Sequence, residues 1–148
     1  MKRLKRILKF LLISSILYTV PIDYVQSGLK PYVVRYETRY LAKCNLKRLE
    51  SIRKKIIVFL PLPSSRIVGL CFNLGSNKII LVDTDYFKDL DEESRTELVW
   101  HELSHCLLNK GHTSEWRNYM YPNLQDLTMS ELKAQVDEDL DFFCKGDK

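Results

Sequence analysis

All three histidines of this 148-residue chain lie within one stretch of twelve residues, and their spacing constrains how that stretch can fold. His101 and His105 are four residues apart in the segment HELSH. On an α-helix, residues four apart lie about 40° apart around the axis, so both imidazole rings can reach one ion. Glu102 is displaced by about 100° and can face the surroundings of that ion without binding it. The segment therefore predicts a helix that carries two metal ligands on one face.

The third histidine, His112, follows a segment that can reverse the direction of the chain. A catalytic zinc site needs three protein ligands and one open position. Asn109 and Gly111 can both adopt the left-handed backbone conformation that turns a chain out of a helix. We predict that Asn109 takes this conformation, with Gly111 as its rival, and that the chain doubles back to bring His112 to the metal. The three histidines are thus candidate ligands of one Zn²⁺ ion.

The stretch HELSHCLLNKGHTSEWRNYMYP, residues 101–122, resembles the metzincin zinc endopeptidases, and within them the matrixin type. Their pattern is H-E-x-x-H-x-x-G-x-x-H followed by a Met-containing turn, often M-Y-P. The resemblance implies a zinc site with three histidine ligands, namely His101, His105 and His112. It also implies that Glu102 is the general base and that Met120 underlies the metal in the Met-turn.

The stretch departs from the family pattern at one point. One extra residue separates the second and third histidines, so that Leu108 stands where the family has glycine. We interpret this as a helix that is one residue longer, because Asn109-x-x-His112 keeps the family spacing from the turn to the third ligand. Neither a cysteine-bearing inhibitory segment nor a calcium-binding loop is recognisable, so the chain resembles a minimal bacterial or phage-type member.

The pattern of apolar and turn-forming residues predicts a small α+β domain. In chain order, the predicted elements are a helix over 36–53, strands Ile56–Leu60, Ile67–Phe72 and Lys78–Val82, an acidic connection Asp83–Asp91, a helix from Asp91 or Ser94 to about Leu108, an irregular segment over 109–127, and a helix Met129–Phe143. Turn residues between the second and third strands indicate a hairpin. Thr128 and Glu131 have the spacing of a capping box at the start of the last helix.

The resemblance adds an arrangement to these elements. It implies a metzincin-like zincin domain whose short mixed β-sheet carries the edge strand Ile67–Phe72 over the active-site cleft. Lys78–Val82 would be the inner neighbour of that strand. The active-site helix, the Met-turn and a C-terminal helix would follow in that order. A substrate peptide would lie extended along the edge strand.

The N-terminus has the pattern of a targeting segment. Residues 1–9 contain five cations and no acid, and residues 10–20 contain no charge. A basic start before a short apolar run is typical of a secretory signal, and the run is shorter than the roughly 20 apolar residues of a membrane span. We therefore assign residues 1–27 to a signal peptide or N-terminal membrane anchor that contacts the membrane, with a candidate cleavage site after Ser27. The alternative is an amphipathic helix packed on the domain.

These assignments have consequences for location and partners. The N-terminal cations should stay in the cytoplasm, which places residues 28–148, the zinc metallopeptidase domain, in the periplasm or outside the cell. The net charge is +4, but without the five N-terminal cations the chain has 18 basic and 19 acidic side chains. This balance does not favour a nucleic-acid partner. We expect a monomer that acts on a protein or peptide substrate.

Four cysteines fit an oxidising compartment, although none belongs to a C-x-x-C pair. They are Cys44, Cys71, Cys106 and Cys144. Four cysteines allow three complete pairings, and the sequence does not choose between these pairings and four reduced thiols.

The main hypothesis is a zinc-dependent endopeptidase in which Glu102 takes the proton of a zinc-bound water as it attacks a peptide carbonyl. One alternative is an H-E-x-x-H protease with Glu131 or Glu138 as the third ligand, which leaves His112 unused. A second alternative is an exported zinc-binding accessory protein or binding module without catalysis. Glu102 favours the enzyme, because zinc storage needs no general base.

Overall fold

The computed structural model describes residues 23–44, 54–62, 67–74 and 77–145, which form four strands and four α-helices. The strands are β1 (Tyr24–Val25), β2 (Lys55–Leu60), β3 (Gly69–Leu74) and β4 (Asn77–Asp83), and their order in the sheet is β1-β2-β4-β3. β1, β2 and β4 run parallel, whereas β3 pairs antiparallel with β4. The mixed α+β architecture is confirmed, and β3 is an edge strand.

Four α-helices of the described residues pack with the sheet, and the third of them is central. They are α1 (Lys30–Lys43), which follows a 3₁₀ turn at Ser27–Leu29, α2 (Thr84–Asp89), α3 (Glu92–Leu108) and α4 (Met129–Lys145). α3 contacts β3 and β4 and also packs against α1 and α4. The Trp100 side chain of α3 is fully buried, and its indole N–H donates to the Tyr32 carbonyl of α1 at 3.0 Å. This satisfied indole fixes α1 against α3 without leaving a buried polar group unpaired.

The predicted strands and the last two helices are confirmed, with shifts at their ends. β3 begins at Gly69 and continues to Leu74, and its antiparallel pairing with β4 confirms the hairpin, whose residues 75–76 lie outside the description. The Asp91 side chain accepts the Ser94 amide at 2.8 Å and so caps α3. At the start of α4, Thr128 and Glu131 exchange hydrogen bonds as a capping box does.

The predicted helix over 36–53 starts earlier than expected and is interrupted at Cys44. α1 starts at Lys30, and Pro31 favours this start because its fixed φ suits the first helical turn. The helix ends at Lys43, since Cys44 is extended, with φ −108° and ψ 156°. The apolar line through Tyr36, Tyr40 and Cys44 is nevertheless buried, as its spacing indicates. Residues 45–53 of the predicted helix lie outside the described residues.

The connection Asp83–Asp91 is not wholly irregular, because it contains α2. The Asp83 carboxylate accepts the amides of Asp85 and Tyr86 at 3.1 and 2.8 Å. An aspartate in this position caps a helix N-terminus, and these bonds also lower the pKa of its carboxyl. Phe87 anchors the short helix in the core. The acidic composition of the segment masked this capping arrangement.

The described chain begins before the predicted domain boundary at Gly28. Tyr24 and Val25 pair in parallel with Ile56 and Ile57 of β2, and Asp23 forms an ion pair with the buried Lys55 at 3.0 Å. Residues 1–22, which hold most of the predicted targeting segment, lie outside the described residues. Within the described part of the chain, no helix has the length and apolarity that a membrane crossing requires.

The structure selects one of the cysteine pairings that the sequence leaves open. Cys44 at the end of α1 is bonded to Cys144 in α4, and Cys71 of β3 is bonded to Cys106 of α3. The second disulfide joins the edge strand to the helix that carries two histidines. It therefore fixes one wall of the candidate site to the other.

Candidate metal centre

The three histidines meet because the chain reverses after α3. Asn109 ends this helix with φ 52° and ψ 37°, which is the left-handed conformation. Gly111 is not in the left-handed region, so the prediction that Asn109 takes the turn role is confirmed. Asparagine tolerates this conformation better than most residues with a Cβ. The turn returns the chain to the face of α3 that carries His101 and His105.

The ring nitrogens of the three histidines converge on one point. His101 Nε2 lies 2.9 Å from His105 Nε2 and 3.1 Å from His112 Nε2. His105 Nε2 and His112 Nε2 are also 3.1 Å apart. Ligand nitrogens around a tetrahedral zinc at 2.0–2.1 Å are separated by roughly 3.3 Å. The spacing therefore matches a set of nitrogens that share one small cation.

Backbone carbonyls determine which nitrogen of two rings can bind a metal. His101 Nδ1 lies 2.6 Å from the Tyr119 carbonyl oxygen, and His105 Nδ1 lies 2.5 Å from the Lys110 carbonyl oxygen. A carbonyl only accepts, so each Nδ1 carries the proton and donates it. The Nε2 atom of each ring is then an unprotonated donor to a metal, which is the usual arrangement at zinc sites.

Burial favours the neutral form of two of the rings, His101 and His112. Burial lowers the pKa of His101 to about 4, and the neighbouring His105 and His112 add to this effect against the opposing Tyr119 carbonyl. Burial likewise lowers the pKa of His112. Neutral imidazole is the form that binds metals. Since unprotonated nitrogens at this distance repel one another without a cation, the donor set fits a zinc ion.

Glu102 lies beside the histidines without joining their cluster. Its side chain is 5% exposed, and burial raises the pKa of its carboxyl to about 7. It is held against Gly69 of β3, where a Cβ atom would overlap the Glu102 side chain, with Cγ only 2.6 Å away. Only a glycine leaves room there, so the edge strand approaches the carboxylate more closely than any other residue would allow.

An open cleft runs along β3 on both sides of the histidines. One part, of about 340 Å³, is lined by residues 69–73 together with Glu102, His105 and Asn109. The other part, of about 250 Å³, is more apolar and includes Leu98, Pro122 and Leu124. Leu70 and Phe72 of the edge strand are exposed. The cleft can therefore accept an extended chain that passes the metal centre.

Met120 lies in a turn that is fastened to the segment after His112. The Thr113 amide donates to the Met120 carbonyl at 3.0 Å, and the Met120 amide donates to Asn118 Oδ1 at 2.9 Å. The Met120 side chain is completely buried. The preceding residue of the same turn, Tyr119, supplies the carbonyl that orients His101. The turn thus contributes directly to the arrangement of the histidines.

Glu97, which the sequence alone does not single out, holds the loop after this turn. Glu97 is fully buried in α3, and its carboxylate accepts the Gln125 amide at 2.8 Å and the Leu127 amide at 3.2 Å. Burial raises the pKa of Glu97, and the two amides oppose that shift. The available signal was its place four residues before His101, on the same helix face as two histidines.

The carboxylates considered as third ligands are not part of the cluster. Among the described residues, the side chains that converge to hold an ion are His101, His105 and His112. Glu131 instead accepts Arg117 Nη2 at 2.6 Å and caps α4, and these bonds lower the pKa of its carboxyl to about 2. The arrangement therefore gives no support to a glutamate as the third ligand.

Comparison with known proteins gives one match. Residues 41–126 match the model of the family described as "Putative phage metallopeptidase". The match covers more than half of the chain and includes β2, β3, β4, α3, the histidine cluster and the turn with Met120. Neither the curated proteins nor the solved structures include a match. The chain therefore belongs to this phage metallopeptidase family.

Proposed function

We propose that the chain is a zinc-dependent endopeptidase, in which His101, His105 and His112 hold the ion and Glu102 is the general base. The observation that carries this proposal is the convergence of three Nε2 atoms, two of them fixed as metal donors by backbone carbonyls. A zinc ion held there supplies Lewis-acid activation of water and of a peptide carbonyl. Membership of a metallopeptidase family agrees with this chemistry.

Glu102 is suited to moving a proton near neutral pH. Its burial brings the pKa of the carboxyl to about 7, so the group can accept a proton and release it again under ordinary conditions. In the proposed reaction, Glu102 takes the proton of the attacking water and delivers it to the leaving amine nitrogen. Gly69 leaves the space beside the edge strand that the Glu102 side chain occupies.

The edge strand provides a binding surface for an extended substrate. Among the described strands, β3 pairs only with β4, which leaves the backbone groups of its other edge available to a further strand. We propose that a protein or peptide substrate adds to this edge as a further strand and crosses the cleft beside Glu102. The disulfide from Cys71 to Cys106 keeps the strand at a fixed distance from α3.

The finer assignment to a metzincin of the matrixin type is also a proposal. It is supported by the return of His112 after a left-handed residue, by the fastened turn at Met120 and by the helix α4 that follows. The burial of Glu102 favours an enzyme over a zinc-binding accessory module. An unpaired buried carboxyl costs stability, and a module that only stores zinc has no use for it.

For the cellular setting, we propose an exported or membrane-anchored monomer whose domain lies outside the cytoplasm. The support is the basic and apolar pattern of residues 1–20 and the two disulfides, which suit an oxidising compartment. A reporter enzyme that is active only outside the cytoplasm, fused after Gly28, tests the role of residues 1–27. Cytoplasmic retention of that reporter would contradict the assignment.

The decisive experiment combines metal analysis with a peptidase assay on the full chain. We expect the wild type to bind one zinc ion and to hydrolyse unstructured peptides. Glu102→Gln should keep the zinc but lose roughly 10²–10⁴-fold in kcat. His112→Ala should lose zinc and activity together, whereas Glu138→Gln serves as a control that changes neither. Full zinc binding and activity in His112→Ala would refute the proposed site.

A further inference from the structure

We infer that Asp139, on α4, is a positioning residue for the metal centre. Its carboxylate joins the side chains of Tyr119 and Lys110, the two residues whose carbonyls orient His101 and His105. The inference rests on the proposed metal site and goes beyond it, since the described hydrogen bonds and ion pairs of Asp139 do not reach the histidines themselves. It gives the C-terminal helix a role in metal binding.

One oxygen of Asp139 holds the turn that carries Met120. The Tyr119 hydroxyl donates to Asp139 Oδ2 at 2.5 Å, while the Tyr119 carbonyl accepts from His101 Nδ1 at 2.6 Å. The Tyr119 side chain is 1% exposed, so it has little freedom to find other partners. A buried residue anchored by its side chain in this way presents its carbonyl in one fixed direction.

The other oxygen of Asp139 holds the loop after Asn109. Lys110 Nζ forms an ion pair with Asp139 Oδ1, and the same ammonium lies 5.7 Å from the centre of the Tyr119 ring. The Lys110 carbonyl accepts from His105 Nδ1 at 2.5 Å. Because the Asp139 side chain is 19% exposed, this pair is shielded more than a surface ion pair. The lysine therefore couples the position of its own carbonyl to α4.

A chain of hydroxyl groups extends the connection back to α3 and α1. The Tyr119 hydroxyl has one proton, and we assign it to the short bond with Asp139. Ser104 Oγ accepts the same O–H in a longer contact of 3.0 Å, and the Ser104 and Tyr36 hydroxyls share a hydrogen bond at 2.9 Å. Burial raises the pKa of both tyrosines, so their hydroxyls stay protonated. The carboxylate is thus the acceptor at the end of a buried network that adjoins His105.

Other ion pairs of α4 show what a purely structural role would look like. Asp137 pairs with Arg39 and Asp141 pairs with Lys43, both joining α4 to α1 at about 3 Å. Neither of these partners offers a carbonyl to a histidine in the described contacts. Asp141 therefore provides a matched control, because its removal costs an ion pair between helices but should leave the histidines unaffected.

The test uses the full chain, freed of metal by a chelator. Zinc affinity is measured by competition with a chromogenic chelator, and the absorption of bound Co²⁺ reports the geometry of the ligands. Asp139→Ala should weaken zinc binding by about tenfold, the lower end of the range for groups that support metal ligands. It should also change the Co²⁺ spectrum. Asp141→Ala should leave the zinc affinity within twofold of the wild type and the spectrum unchanged.

Two further variants keep the inference testable if Asp139→Ala does not fold. Tyr119→Phe and Lys110→Met each remove one arm of the arrangement, and each should weaken zinc binding relative to the wild type, by less than Asp139→Ala does. Equal zinc affinities and Co²⁺ spectra for the Asp139 and Asp141 variants, or for both single-arm variants and the wild type, would overturn the inference. A wild type that binds no zinc would instead overturn the proposed function, so the two failures are distinguishable.

Discussion

Removing the charge of Glu102 should stabilise the metal-free protein at alkaline pH. Burial raises the pKa of this carboxyl from 4.5 to about 7, so the folded state keeps a proton that the unfolded state has already lost. Folding stability therefore falls as the pH rises from about 4.5 to 7 and stays low above that range. A difference of 2.5 pKa units corresponds to about 3 kcal/mol. Glutamine is neutral throughout and avoids this loss.

The pH dependence of the free energy of unfolding of the wild type alone would not reveal this effect. Burial lowers the pKa of His101 from 6.5 to about 4, so the folded state binds fewer protons than the unfolded state between these values. The difference at His101 therefore raises the free energy of unfolding as the pH rises, by about the same amount as the Glu102 carboxyl lowers it. Because both proteins contain His101, its contribution cancels when the free energies of unfolding of Glu102→Gln and the wild type are subtracted at each pH.

The assay is urea unfolding at pH 4 and pH 8 in the presence of a chelator, with the disulfides intact. We expect Glu102→Gln to be about 3 kcal/mol more stable than the wild type at pH 8 and nearly equal to it at pH 4. The same variant should be inactive after zinc is restored. A stability difference that does not change with pH would show that the carboxyl titrates normally, and the argument from burial would be wrong.

Three further changes test other parts of the site. Gly69→Ala should lower kcat, because the added Cβ would displace the Glu102 carboxylate, but it should leave the zinc affinity unchanged. An unchanged kcat would contradict the close approach of β3 to the Glu102 side chain. Glu97→Ala leaves two buried amides unpaired and should lower the free energy of unfolding by about 2–4 kcal/mol, measured in urea, whereas a loss below 1 kcal/mol would mean that water replaces the carboxylate. Asn109→Gly should preserve the free energy of unfolding, whereas Asn109→Val should lower it by about 1–2 kcal/mol and weaken zinc binding. Equal stabilities of the valine variant and the wild type would show that the left-handed conformation at position 109 does not disfavour a β-branched residue.

The sequence predicts best those parts of the site that depend on neighbouring residues. The helix through His101 and His105, its left-handed end at Asn109 and the capping box at Thr128 each follow from residues within a few positions of one another. Local rules also suggest the hairpin of β3 and β4. These features are determined by backbone conformation and side-chain spacing, which a single sequence displays.

The rest depends on contacts between distant segments, which the sequence does not display. α1 ends at Lys43, beside Cys44, which is bonded to a cysteine in α4, whereas the apolar spacing alone continues further. Glu97 and Asp139 look like ordinary helical surface acids until the turn around Tyr119 packs against them. Their importance comes from amide, hydroxyl and ammonium groups that arrive from other parts of the chain.

The disulfide between Cys44 and Cys144 closes a covalent ring around the whole metal centre. A peptidase is exposed to its own activity whenever it is concentrated, and flexible segments are the usual places for such self-cleavage. A single cut anywhere inside this ring leaves both pieces linked through the disulfide. The nicked protein would keep its histidines together and migrate as one species until a reductant separates the fragments. Self-digestion would then limit the lifetime of the enzyme only after a second cut or after reduction.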